Sequence, residues 1–125
     1  MARILVIDHD PDLRWMLEQI LTSAGYEVIL AADGREGVEQ YGIKAPDLVI
    51  TDLHLPNQDG LETIRKFRRR FPEVAIIAMS GEDAAVTLLS IAQKLGAAGV
   101  LRKPFRTGQL IAAVANALGR QSPAH

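Results

Sequence analysis

The chain has 125 residues, 48% of them apolar and 23% charged, with no cysteine and a formal net charge of −1. That is enough for one domain with a sizeable core; it excludes a disulfide frame and thiolate chemistry, and no apolar run approaches the ~20 residues of a membrane span. The small net charge conceals a split, with twelve acids against four bases in residues 1–62 and three against ten in residues 63–125, a polarity that marks interaction surfaces.

From the amino terminus, short β-branched runs alternate five times with helical periodicity, as buried parallel strands joined by helices do. The first strand is predicted at about 3–7, so the chain opens on a strand instead of a signal peptide and a cytoplasmic protein is expected. A helix over 11–23 follows; its Leu13, Leu17, Ile20 and Ala24 share a face and Gly25 closes it. Next come a strand at 27–31 and a helix at 34–43, with Pro46 keeping the entry to the third strand, 47–51, extended. The third helix, 61–70, carries Leu61, Ile64 and Phe67 inward before Phe71-Pro72 stops it. Its Arg65, Lys66, Arg68, Arg69 and Arg70 read as a solvated basic face; no recognition helix or aromatic platform accompanies them, so no nucleic-acid partner is expected. Strand 74–79, helix 83–94, strand 98–102 and helix 107–118 complete the series. With right-handed crossovers this is an α/β, doubly wound, five-stranded parallel sheet with five helices on its two faces. Residues 1–118 form the domain, 119–125 a short disordered tail, and no effector domain is legible.

In an open parallel sheet, ligands bind outside the carboxyl ends of the strands, and four predicted strands run into one reactive polar residue each: Asp8, Asp52, Ser80 and Lys103. Asp52, before a loop containing Pro56 and Gly60, is either a nucleophilic carboxylate or a turn or helix-capping residue. Asp8 and Asp10 flank His9; clustered carboxylates suit Mg²⁺, while Asp10-Pro11 equally reads as a helix start. The Ser80 hydroxyl is suited to a phosphoryl oxygen, although Ser-Gly is also a common turn. Lys103 is a point charge suited to phosphate or a snorkelling surface lysine, and Pro104 after it is a candidate cis residue.

These residues in this order, with Pro56 and Gly60 in the Asp52 loop, resemble the response regulator receiver domain of two-component signalling over about residues 3–118. The resemblance implies a flavodoxin-like sheet in strand order 2-1-3-4-5. It implies a bacterial signalling phosphoprotein that is no enzyme beyond self-phosphorylation from small donors and self-dephosphorylation. Asp52 is then the phosphoacceptor, Ser80 the hydroxyl switch and Lys103 the phosphate-binding lysine. Mg²⁺ is held by Asp8, Asp52 and the His54 backbone carbonyl, with Asp10 as a further candidate. The implied phosphodonor is a histidine kinase or histidine phosphotransfer protein docking on helix 1 near Arg14 and Trp15. A downstream protein is implied on the face of helix 4, strand 5 and helix 5, with the chain a monomer or weak dimer.

Two positions depart from the family pattern. His9 stands where a second metal-binding acid is usual, and imidazole suits Zn, Cu, Ni or Fe better than Mg²⁺, so weakened Mg²⁺ affinity is expected. A His9 cation lying in the metal's place is the other outcome. Val100 stands three residues before Lys103, where the family often has a switching Tyr or Phe. Helix 4 (Val86, Leu88, Leu89, Ile91, Leu95) and helix 5, uncharged from Thr107 to Leu118, are either packed on the sheet or an apolar partner face. Two rival functions follow: a pseudo-receiver binding module with weak or no phosphorylation, and a haloacid-dehalogenase-type phosphatase built on Asp8 and Asp10. The phosphatase would need acids after its lysine, and residues 103–125 contain none.

Overall fold

The computed structural model describes residues 2–55, 58–81 and 85–120. Five strands, β1 (Arg3–Ile7), β2 (Glu27–Ala31), β3 (Leu48–Asp52), β4 (Ala75–Ser80) and β5 (Gly99–Arg102), form one parallel sheet in order 2-1-3-4-5. Five helices accompany them: α1 (Pro11–Ser23), α2 (Gly34–Ile43), α3 (Gly60–Arg70), α4 (Ala85–Lys94) and α5 (Thr107–Arg120). The fold is the flavodoxin-like one expected, and all ten elements lie within two residues of their predicted bounds at each end; α4 begins at Ala85, with 82–84 outside the described residues.

The strands are continuous apolar runs because both faces of the sheet are covered. Alternate residues of β1, Leu5 and Ile7 against Ile4 and Val6, enter two separate cores. The first joins Val49, Ile76 and Ala78 of the sheet to Ile64, Phe67, Leu89 and Ala92 of α3 and α4. The second joins Ile50, Ile77 and Met79 to Leu17 and Leu21 of α1 and Leu110, Val114 and Ala117 of α5. Every strand residue from Ile4 to Ile7 and from Ile76 to Met79 is 0% exposed, so the sheet is the rigid floor of whatever lies at its edge.

The ends of the elements follow local chemistry. Asp10 caps α1, its side chain accepting from the Asp12 N–H, with Pro11 in the first turn, and Gly25 past the far end takes φ +96°. Asp33 caps α2 by accepting from the Glu36 N–H, while Glu36 reaches back to the Ala32 N–H. The apolar stripe of α1 differs from expectation at one position. Leu21 is buried and Ala24 exposed, because Ala24 is the residue at which the chain leaves the helix.

Two other features depart from the sequence reading, and a third decides between alternatives it left open. A two-residue antiparallel ladder pairs His54 with Asp59 and Leu55 with Gln58, between β3 and α3; Pro56 lies outside the described residues, and Gly60 is the first residue of α3. Arg68 does not belong to a solvated face: its guanidinium donates to Pro72 O and Val74 O, clasping the turn into β4, and burial pulls its pKa down. Of the two readings of α5, packing on the sheet is the one the burial pattern favours. Leu110, Val114 and Ala117 form one buried stripe, Ile111, Ala113 and Leu118 are half-buried, and Thr107, Gly108, Gln109, Ala112, Ala115, Asn116 and Gly119 are exposed. On α4, Leu89 is buried and Ile91 and Leu95 half-buried; the side chains of Val86 and Leu88 lie outside the described residues.

Candidate functional site

The register of the sheet builds the site. Ile7 pairs with Thr51, so Asp8 and Asp52 emerge side by side one rung further on. This is where the strand order reverses, between β1 and β3, the crevice in which open α/β sheets place ligands. Ser80 pairs with Arg102, which puts Lys103 one residue past the edge, and the Lys103 N–H donates to Ser80 O at 2.9 Å.

Both carboxylates are buried, Asp8 at 0% and Asp52 at 2% exposure. Each is anchored by the main chain two residues on: Asp8 Oδ1 accepts from the Asp10 N–H at 2.9 Å and Asp52 Oδ1 from the His54 N–H at 3.0 Å. Their other oxygens converge on one ammonium. Lys103 Nζ lies 2.9 Å from Asp8 Oδ2 and 3.2 Å from Asp52 Oδ2. Gly81 makes room for the lysine stem, since a Cβ there would stand 3.1 Å from Lys103 Cβ. The Lys103-Pro104 peptide is cis, as the sequence suggested.

Two carboxylates share one ammonium in this pocket. Burial raises the Asp8 pKa; hydrogen bonds from Asp10 and Lys103 hold it back, and the neighbouring Asp52 charge pushes it further up. Burial by itself lowers the Lys103 pKa, but Asp8 and Asp52 outweigh it and leave the ammonium raised above its ordinary value.

His9 faces the same space, with Nδ1 at 3.7 Å from Asp52 Oδ2 and 4.0 Å from Asp8 Oδ1 and its side chain 53% exposed. Asp8, His9 and Asp52 are the one group among the described residues whose ligand atoms cluster closely enough to share an ion. Two buried carboxylates are the donor set Mg²⁺ takes when phosphate and water complete its shell. The two carboxylates fit such an ion; the His9 imidazole, a nitrogen donor, does not. Asp10 is not in the cluster, because its carboxylate is spent on the α1 cap. Of His54, the structure shows the N–H that orients Asp52 and an exposed side chain.

The remaining candidates separate. Ser80, at the site's edge, is 0% exposed and its Oγ has no hydrogen-bond partner among the described residues. Arg14, read as a partner contact, donates to the Asp8 carbonyl at 2.6 Å and pins the chain just past β1. Sequence reasoning missed that bond; an arginine one turn into the first helix, six residues after Asp8, was the available signal. Trp15 is 63% exposed and Met16 40%, so the first helix does present a large apolar surface.

The response regulator receiver domain family matches residues 4–115. The chain belongs to this family. The DNA-binding transcriptional regulator NtrC of Escherichia coli K12 is 33% identical to this receiver domain over 118 residues, and the protein of that name from Klebsiella pneumoniae 33% over 116. These alignments take in 92% and 90% of the chain, which spans about a quarter (24%) of the relatives' length. A receiver domain protein from Clostridium thermocellum superposes with TM-score 0.91 at 31% identity, covering 97% of both chains. A CheY-like receiver domain protein from Methanospirillum hungatei JF-1 gives 0.88 at 28% identity, covering 97% of this chain and 96% of that one. Receiver domains are signalling modules of two-component systems that typically bind Mg²⁺ at an acidic pocket and interact with histidine kinases and effector domains. No helix among the described residues is long and apolar enough to cross a membrane.

Proposed function

We propose that Asp52 accepts a phosphoryl group from the phosphohistidine of a histidine kinase or phosphotransfer protein, and that the change alters protein binding on the face of α4, β5 and α5. The observation that carries this reading is the Lys103 ammonium held between two buried carboxylates at the carboxyl edge of the sheet. An Asp52 oxygen attacks phosphorus, the donor's P–N bond breaks, and its electron pair returns to the imidazole, which takes up a proton. Lys103 already stands where negative charge gathers on the transferred group, so it need not reorganise. The buried Ser80 hydroxyl, without a partner among the described residues, gains a phosphoryl oxygen to donate to, and its movement is the route to the β4 edge and α4. Mg²⁺, when held by Asp8, Asp52 and the His54 carbonyl, supplies positive charge to the phosphoryl oxygens. Asp10 and Arg14 act indirectly, one by starting α1 and the other by fixing Asp8, while Trp15 supplies the docking contact on α1. Residues 1–118 form this signalling unit, which acts in the cytoplasm.

His9 favours a second reading, a pseudo-receiver that binds partners without being phosphorylated. Label transfer from a phosphorylated histidine phosphotransfer protein separates the two. Native protein takes the label and Asp52→Asn does not; a pseudo-receiver binds the donor and leaves it phosphorylated.

A further inference from the structure

We infer that Asp8, His9 and Asp52 form a mixed nitrogen and oxygen site for a divalent first-row transition ion, with His9 a ligand, so that the pocket is biased away from Mg²⁺. The inference rests on the reading of these strand ends as the metal-assisted phosphoryl site, and it names which class of ion that site takes.

Geometry supplies the first argument. At 3.7 and 4.0 Å from the two carboxylates, His9 Nδ1 is too far to hydrogen-bond to either. Two donors about 2.1 Å from a common ion stand between about 3 and about 4.2 Å apart, depending on whether they are adjacent or opposite. Both His9 distances fall in that interval. The imidazole is therefore spaced from the acids as a fellow ligand.

The donors themselves supply the second. Mg²⁺ is hard, dehydrates reluctantly and takes oxygen, whereas imidazole suits Fe, Ni, Cu and Zn. Exchanging an acid for a neutral imidazole removes one negative charge, which weakens every cation's attraction. Only an ion that bonds well to nitrogen recovers that loss. The carboxylates cannot relax to compensate, because each has one oxygen pinned to a main-chain N–H and the other drawn toward Lys103. The half-exposed imidazole is the adjustable member, able to close on an ion entering from solvent.

Most sites bind transition ions more tightly than Mg²⁺, so the native preference alone decides nothing. The informative quantity is the change in the Co²⁺ to Mg²⁺ affinity ratio between the full native chain and His9→Asp, measured by calorimetric titration. The ratio is expected to fall at least about tenfold in His9→Asp, with Mg²⁺ affinity rising. Pulsed electron paramagnetic resonance on the Mn²⁺-loaded protein gives a direct signature: a nitrogen coupling in native protein, lost in His9→Asp. A ratio unchanged within twofold, or a nitrogen coupling that survives in His9→Asp, overturns the inference. Equal gains for both ions in the variant also overturn it, since they make His9 a repelling charge and no ligand. Asp52 phosphorylation is scored separately by mass. A shifted ratio without phosphorylation upholds the metal site and defeats the phosphoryl reading; phosphorylation with an unshifted ratio does the reverse.

Discussion

Lys103 is positioned by its neighbour Gly81 as much as by its own charge. A methyl group at Gly81 would press on Lys103 Cβ from 3.1 Å, and the stem would have to give. Gly81→Ala is expected to slow Asp52 phosphorylation several-fold while leaving the far-ultraviolet circular dichroism spectrum unchanged; an unaltered rate would show that the lysine reaches the site from a displaced stem. Asp8 yields a prediction with a definite sign. Its pKa is raised in the fold, chiefly by burial, so the native state holds the proton more tightly than the unfolded chain does. The carboxylate is harmless below its ordinary value and costs stability as pH rises through its folded value. Asp8→Asn is therefore expected to raise the melting temperature in metal-free buffer at pH 7, with the gain shrinking toward pH 4. A gain independent of pH would contradict this account. The Lys103 pKa is raised as well, so its contribution has the same sign: the stability it lends at lower pH is lost as pH climbs through its folded value. Asp8, Asp52, Ser80 and Lys103 were legible in the sequence because each ends an apolar run, and a parallel sheet gathers such ends at one edge. The position of the His9 ring was not, since strand patterning says nothing about where a half-exposed side chain past the strand end settles. Asp10 was ambiguous for a related reason, because one carboxylate serves equally as metal ligand or helix cap and only geometry assigns it.

The helices matter to the site through how closely they lie on the sheet. At Gly37, α2 approaches β1 so tightly that a Cβ would overlap Ile7 Cδ1, and Ile7 is the buried residue just before Asp8. Gly37→Ala is expected to cost about 1–3 kcal/mol through overpacking, read as a lowered denaturant midpoint; an unchanged midpoint would mean Ile7 has a second rotamer free. On α1 the exposed Trp15 is the proposed docking contact, and Trp15→Ala is expected to reduce phosphotransfer from the protein donor while sparing a small-molecule donor. Equal loss with both donors would place its effect in the fold. The five strands and five helices were legible because the apolar period switches cleanly between strand and helix. The ladder of His54, Leu55, Gln58 and Asp59 was not, because two-residue strands carry no period. Ala24 was misplaced because helical periodicity says which face a residue occupies but not whether the sheet extends beneath it.

Across the whole molecule, the acidic half contributes the buried pair Asp8 and Asp52, and the basic half contributes the lysine between them. Strand order 2-1-3-4-5 brings two acids of the first half and one lysine of the second into one pocket. Among the described residues of α5, a narrow stripe is buried and the fully exposed positions are small or polar. The central claim is that Asp52 receives the phosphoryl group. Intact-mass spectrometry after incubation with a small phosphodonor, in Mg²⁺ and separately in Mn²⁺, tests it most directly. The account predicts that native protein gains the mass of one phosphoryl group and Asp52→Asn gains none. Native protein left unmodified with both ions, or Asp52→Asn labelled as fully as native, would contradict it.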